Sequence, residues 1–137
     1  MSRFMPCPCH STIMYHKCCQ PFHKGEPAPD ALKLMRSRYA AYALGLSDYI
    51  MDTTHPDNPH YEADRNKWRS DLDQFAARSH FDGLRIREFS PDPKDPDRAE
   101  VTFTAHMRQD SQIAAMTEVS SFVRQKGRWL YRDGRFI

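Results

Sequence analysis

The spacing of apolar residues predicts an α+β fold, an antiparallel sheet with helices laid over one face. Apolar residues recur at helical spacing through the first half of the chain and alternate one-in, one-out from Phe81 onward. Helices first and a strand meander afterwards pack as helices on one sheet face. A third observation sets a small N-terminal unit apart. All four cysteines fall between Cys7 and Cys19.

Residues 1–24 form the cysteine segment, which holds too few apolar residues for a core, so a bound metal is expected to supply its folding energy. Gly25-Glu26-Pro27-Ala28-Pro29 is a linker of breakers, and the α+β domain is expected over 30–137. Asp30 predicts the N-cap of a first helix and Gly45 the residue just past its end. Leu32, Met35, Tyr39, Tyr42, Ala43 and Leu46 give it an apolar stripe, with Arg38 at the edge. Ser47 caps a short second helix that must stop near His55, because Pro56 disfavours helix before it. Asn58-Pro59 reads as the cap and first turn of a third helix presenting Tyr61, Trp68, Leu72, Phe75 and Ala76, with a break expected near Ser70-Asp71. Four strands follow: Leu84 and Ile86 in the first, Val101 to Met107 in the second, Ile113 to Arg124 in the third and Arg128 to Asp133 in the fourth. Ser90 to Asp97 is a loop, and Gln125-Lys126-Gly127 a turn.

The charge balance, 20 basic against 18 acidic residues, gives no electrostatic mandate for nucleic acid. Arg65, Lys67, Arg69 and Arg78 are interleaved with Asp64, Asp71 and Asp73, as on a solvated helix face. Arg3, Lys17 and Lys24 around the cysteines offer at most a weak nucleic-acid surface. No apolar run approaches the roughly 18 residues of a membrane span. No apolar leader precedes the cysteines, so the cytoplasm is the expected compartment.

Cys7, Cys9, Cys18 and Cys19 stand as C-x-C-x8-C-C. Two thiolates one residue apart can meet two adjacent ones across the loop and close a tetrahedron around zinc, at roughly 2.3 Å per sulfur. The pattern is not the common C-x2-C pair. Two disulfides would need an awkward framework of adjacent and near-adjacent cysteines, and free reactive thiols are the remaining reading. His10, His16 and His23 are spare donors, any of which could replace a cysteine.

This spacing, followed by Gln20-Pro21-Phe22, resembles the SEC-C motif, the zinc-binding segment also found at the C-terminus of the preprotein translocase motor SecA. That motif often ends in histidine where this chain has Cys19, and it usually has glycine at the position of His10. Leu34 to Gly45, Thr53-Thr54-His55-Pro56, Glu118 to Phe122 and Gly127 to Gly134 resemble the YchJ family of small bacterial proteins. The resemblance implies a SEC-C segment joined to a nuclear transport factor 2-like domain, a curved sheet wrapped around helices. It names no reaction.

A sheet closed in this way often leaves a pocket. Its candidate lining is Arg38, Tyr42, His55 and Glu118, with His106 expected in solvent. Strand parity turns Glu118 and Ser120 inward with Phe122, and Trp129 and Tyr131 share that face. An inward Glu118 needs a partner, and Arg38 is expected to supply it as a structural ion pair. The alternative is a polar site in which Arg38 holds an anion and Glu118 or His55 acts as base. His55, before Pro56, is expected to cap a helix end. No nucleophile elbow, phosphate loop or catalytic dyad is found, so enzymatic activity is not the leading expectation. Two function classes result: a zinc-stabilised adaptor that docks on another protein through the cysteine segment, and a small-molecule binder or enzyme using the cone pocket.

Overall fold

The computed structural model describes residues 5–137, so Arg3 lies outside the described residues. A 3-10 turn at Tyr15–Lys17 and a single helical turn, α1 (Gln20–His23), belong to the cysteine segment. Helices α2 (Ala31–Leu44), α3 (Ser47–Asp52) and α4 (Arg65–Arg78) precede the strands β1 (Ser79–Pro91), β2 (Arg98–Gln109), β3 (Gln112–Gln125) and β4 (Arg128–Phe136). The sheet runs β1-β2-β3-β4 and every neighbouring pair is antiparallel.

Helix α2 starts and stops where its sequence dictates. The Asp30 carboxylate accepts the Lys33 amide at 2.8 Å, and Gly45 closes the helix in the left-handed region at φ 72°. Its burial is wider than one stripe. Leu34, Ser37, Ala40 and Ala41 are buried along with the predicted Met35 and Tyr39, because α2 is covered on two sides. The sheet takes Ala31, Leu34, Met35 and Tyr39 into a core with Val101, Ala105, Phe122 and Trp129. The cysteine segment takes Ala40 and Leu44.

Helix α3 begins at Ser47, with Leu46 in the cap position, so Ser47 is the first helical residue. Its hydroxyl donates to Asp73 on α4. The expected helix at Asn58-Pro59 is absent. Asn58 instead folds a turn, its side-chain oxygen accepting the His60 amide at 2.8 Å and its Nδ2 donating to the Arg132 carbonyl at 3.0 Å. The tie to β4 outweighs the helix-start preference. The cap of α4 is Asp64, whose Oδ1 accepts the amides of Asn66 and Lys67. No break occurs near Ser70-Asp71, and Tyr61, outside the helix, packs its ring edge-on against Trp68.

The strands are longer than their alternation suggested. Bulges between Phe81 and Gly83, between Ile86 and Glu88, and between Ser121 and Phe122 interrupt the pairing. Each bulge bends its strand and adds twist, which wraps the sheet around α2. Residues 53–55 cover the outer edge of β4: His55 N–H donates to the Tyr131 carbonyl and Tyr131 N–H to that of Thr53, each at 2.8 Å. This satisfies backbone groups that an open edge would leave bare.

The cysteine segment is fixed to α2 through His23. Nε2–H donates to the Ser37 carbonyl at 2.8 Å, so the neutral ring must accept at Nδ1, where the Tyr15 hydroxyl donates at 2.6 Å. Burial lowers the His23 pKa from its ordinary value of 6.5, against smaller upward pulls from the Ser37 carbonyl and Cys9. A lowered histidine pKa means that the folded state disfavours the protonated ring. The stabilisation is therefore complete above the unfolded value of 6.5 and fades as pH falls below it. His23→Gln is expected to cost about 1–2 kcal/mol at pH 7.5, since one ordered bond and a buried partner lose their match. The gap between the two proteins should narrow toward pH 5 in thermal melts, and a pH-independent gap would rule out this histidine as the titrating tether.

Candidate functional site

The loop geometry of the cysteine segment brings its sulfurs together. Cys7 N–H donates to the Ile13 carbonyl at 2.9 Å and His10 N–H to that of Cys7 at 3.1 Å, folding 7–13 back on itself. Cys18 and Cys19 follow at the junction of the 3-10 turn and α1, where the Phe22 and His23 amides donate to the Cys19 carbonyl. The outcome is a group of four ligand sulfurs all within 4.8 Å of one another. The Cys9–Cys18 and Cys18–Cys19 separations are 3.6 and 3.9 Å. Four sulfurs on a tetrahedron of the usual zinc–thiolate radius stand about 3.8 Å apart, so the donor set fits a metal ion. All four are free cysteines; Cys7, Cys9 and Cys19 are buried and Cys18 half-buried.

Two polar neighbours attend the sulfurs. The Ser11 hydroxyl lies 3.1 Å from the Cys18 sulfur. Arg36 reaches from α2 to the Cys9 carbonyl at 3.2 Å and its sulfur at 3.8 Å, placing a cation beside a group that carries negative charge when ionised. Sequence reasoning missed Arg36, because nothing local distinguishes it from a solvated arginine. Hydrogen bonds from Cys19 and then Cys7 hold the Cys9 thiol far below its ordinary value. At Cys7 the bond with Cys19 pulls down, but the bond with Cys9 and burial outweigh it and push that thiol up to about 12. Cys19 is pushed up by its bonds to Cys7 and Cys9 and by burial. Cys9 thus gives up its proton readily, while Cys7 and Cys19 resist losing theirs.

The spare histidines divide. Both ring nitrogens of His23 are engaged, and His10 Nε2 lies 3.1 Å from the Phe81 carbonyl on β1. His16 lies in the 3-10 turn, outside the sulfur group. His10 adopts φ 62°, a left-handed conformation costing a non-glycine residue about 1–2 kcal/mol. Its bond to β1 and edge contact with Tyr39 offset that cost.

On the opposite side of α2, between the sheet and α3–α4, lies a cavity of about 650 Å³. Arg38, Tyr42 and Glu118 line it, and His55 does not. His55 is buried behind β4, its Nδ1 accepting the Asp57 amide at 3.0 Å and its Nε2 3.0 Å from Gln125 Nε2. It closes a turn with Asp57 rather than capping a helix end, since Thr53 is the C-cap of α3, and it does not line the cavity. His106 is exposed. Tyr42 packs its ring against Phe75 and Phe81 in the wall.

The expected Arg38–Glu118 ion pair does not form. Arg38 Nη1 donates to the Ile50 carbonyl at 3.0 Å and to the hydroxyls of Thr53 and Thr54 at 2.7 and 3.1 Å. These are acceptors at the C-terminal end of α3, where orphaned carbonyls favour a cation. The inward parity of Glu118 is as expected, but its carboxylate accepts from the Ser120 hydroxyl and, at 3.2 Å, from the Tyr131 hydroxyl. Tyr131 meets both groups: the Arg38 guanidinium carbon lies over its ring, 4.8 Å from the centroid, while its hydroxyl donates to Glu118. Burial, and then the Glu118 charge, push the Tyr131 hydroxyl pKa upward against the pull of Arg38, so it stays a donor. Gly134 makes this possible: a Cβ there would come within 2.5 Å of the Tyr131 oxygen and 2.6 Å of Glu118 Cδ. Parity puts Tyr131 on the inward face, and only the cross-strand placement of β3 and β4 reveals its polar role and that of Gly134.

The family model for the YchJ middle domain, nuclear transport factor 2-like, matches residues 30–134. A UPF0225 protein of Deinococcus radiodurans is 46% identical over 134 residues, covering 95% of this chain and 88% of the relative. The solution structure of a SEC-C motif containing protein from Rhodopseudomonas palustris superposes with a TM-score of 0.80 at 32% identity, covering 97% of this chain and 99% of the other. A crystal structure of a SEC-C motif containing protein from Psychrobacter arcticus gives 0.78 at 27% identity, covering 96% and 82%. With its N-terminal four-cysteine cluster and its helices wrapped by one antiparallel sheet, the chain belongs to the YchJ family, a SEC-C segment joined to a nuclear transport factor 2-like domain.

Proposed function

We propose that Cys7, Cys9, Cys18 and Cys19 hold one zinc ion and that the zinc-stabilised segment serves as an adaptor, docking on another protein in the cytoplasm. The observation that carries the metal is the convergence of four buried or half-buried thiols at tetrahedral spacing. An all-thiolate set selects soft or borderline metals, and four closed ligands leave no open position for chemistry. The metal here is structural. A reducing compartment keeps the thiols available, and among the described residues no helix is long and apolar enough to cross a membrane. The docking surface is the loop between the cysteine pairs. The inner side of the segment is occupied by α2, whereas Ile13 is 44% exposed on the loop.

Protein purified under reducing conditions is expected to carry one zinc per chain by elemental analysis. Zinc uptake by the metal-free protein at pH 7 should release more than one proton, because Cys7 at about 12 and the likewise raised Cys19 are protonated until metal arrives. Affinity should therefore rise with pH. Substoichiometric zinc, or uptake without acidification of a weakly buffered solution, would count against the site.

The metal is expected to fold residues 1–24 and leave 30–137 standing. Cys18→Ser with Cys19→Ser should erase amide-exchange protection in the segment while the domain still melts cooperatively, since α2 keeps its sheet-side core. Loss of that cooperative melt would make the cluster integral to the domain. For the adaptor role, Ile13→Asp should abolish partner capture with zinc content and melting unchanged; undiminished capture would move the docking surface elsewhere.

A further inference from the structure

The cavity on the far side of α2 holds a charge that the protein leaves unanswered. Arg38 is 8% exposed, yet no carboxylate among the described residues pairs with it. Its Nη1 is fully used by neutral acceptors near the end of α3. No described hydrogen bond leaves Nε or Nη2, and the residue borders the cavity. A guanidinium presents its N–H groups as a planar fork that matches a carboxylate, and at Arg38 part of that fork is free. Glu118 does not fill the place: its carboxylate accepts from the Ser120 and Tyr131 hydroxyls instead. Gly134 keeps that arrangement open.

Beyond Thr54, Asn58, His60, Asp71 and Ser120, the rest of the lining is apolar and rich in rings. Tyr42, Phe75, Phe81, Phe103 and Phe122 contribute walls. Phe75, Met116 and Phe136, which also line it, are 36%, 36% and 69% exposed, so its apolar lining continues to the surface. About 650 Å³ accommodates a ligand of one or two rings. The Glu118 carboxylate disfavours a second negative charge on the ligand.

We infer that this cavity binds a small monocarboxylic acid with an aromatic body, its carboxylate held by the free N–H edge of Arg38. This is a binding site separate from the cysteine cluster, and it stands whether or not the cluster docks on a partner. Arg38 supplies charge and direction, the aromatic walls supply most of the desolvated contact, and Glu118 sets selectivity by charge.

Trp68 lines the cavity and Trp129 does not, so their two indole N–H resonances serve as reporter and internal control. The zinc-loaded full chain would be titrated with 4-hydroxyphenylacetate, 4-hydroxyphenylacetamide and tyramine, which share one body and differ in headgroup charge. The acid should shift the Trp68 resonance saturably and leave Trp129 still. The amide and the amine should bind at least about tenfold more weakly, the difference one charge-assisted bond makes. Arg38→Gln should lose the acid's preference. Glu118→Gln should bind the acid more tightly than the parent, and this variant decides the matter should Arg38→Gln fail to fold. Tyramine binding as tightly as the acid, no saturable shift with any of the three, an undiminished acid affinity in folded Arg38→Gln, or weaker acid binding in Glu118→Gln would each overturn the inference.

Discussion

Helix α2 is buried on two sides, against the sheet and against the cysteine segment. A helix against a sheet ordinarily leaves one face in water, but here the cysteine segment occupies that face. Three consecutive residues then meet three different surroundings, because successive positions on a helix point about 100° apart. Arg36 turns to the sulfur of Cys9, Ser37 offers its carbonyl to His23 and its hydroxyl to Tyr49, and Arg38 turns to the cavity. The four-cysteine end and the pocket end of the protein are therefore carried on one helical turn.

Arg38 illustrates how a buried charge can be stabilised without an opposite one. Its acceptors are a carbonyl and two hydroxyls near the end of α3, with the face of Tyr131 beneath the guanidinium. Each is weaker than a carboxylate, but together they place negative potential around the cation without locking it to a single partner. The same arrangement holds α3 to α2 and orders residues 53–55, which then complete the edge of β4. Structural bracing and an unsatisfied cation facing the cavity are two consequences of one side chain.

The cysteine segment depends on the domain for its shape as much as on its sulfurs. His10, standing where a SEC-C loop usually has glycine, keeps a left-handed backbone by reaching the Phe81 carbonyl. His23 tethers the other end through the Ser37 carbonyl. Both histidines are thereby withdrawn from the ligand set, leaving the four cysteines to converge. The surface ion pairs between α3 and α4, Arg69–Asp48 and Arg65–Asp52, lie among exposed side chains and add little by comparison.

What rests on local periodicity and chemistry is legible along the chain. Asp30 and Gly45 bound α2, alternation marked the strands, parity turned Glu118 inward, and the cysteine spacing singled out the sulfur group. What local sequence does not determine depends on which elements become neighbours. Asn58 could have capped a helix, but a carbonyl of β4 claimed its side chain. Arg38 and Glu118 share an interior, yet Arg38 bonds the end of α3 and Glu118 accepts from Ser120 and Tyr131, so they do not pair. Arg36 acquires a role only because the cysteine segment folds back over α2. A backbone preference is written within a few residues, whereas the partner of a long side chain is set by tertiary placement.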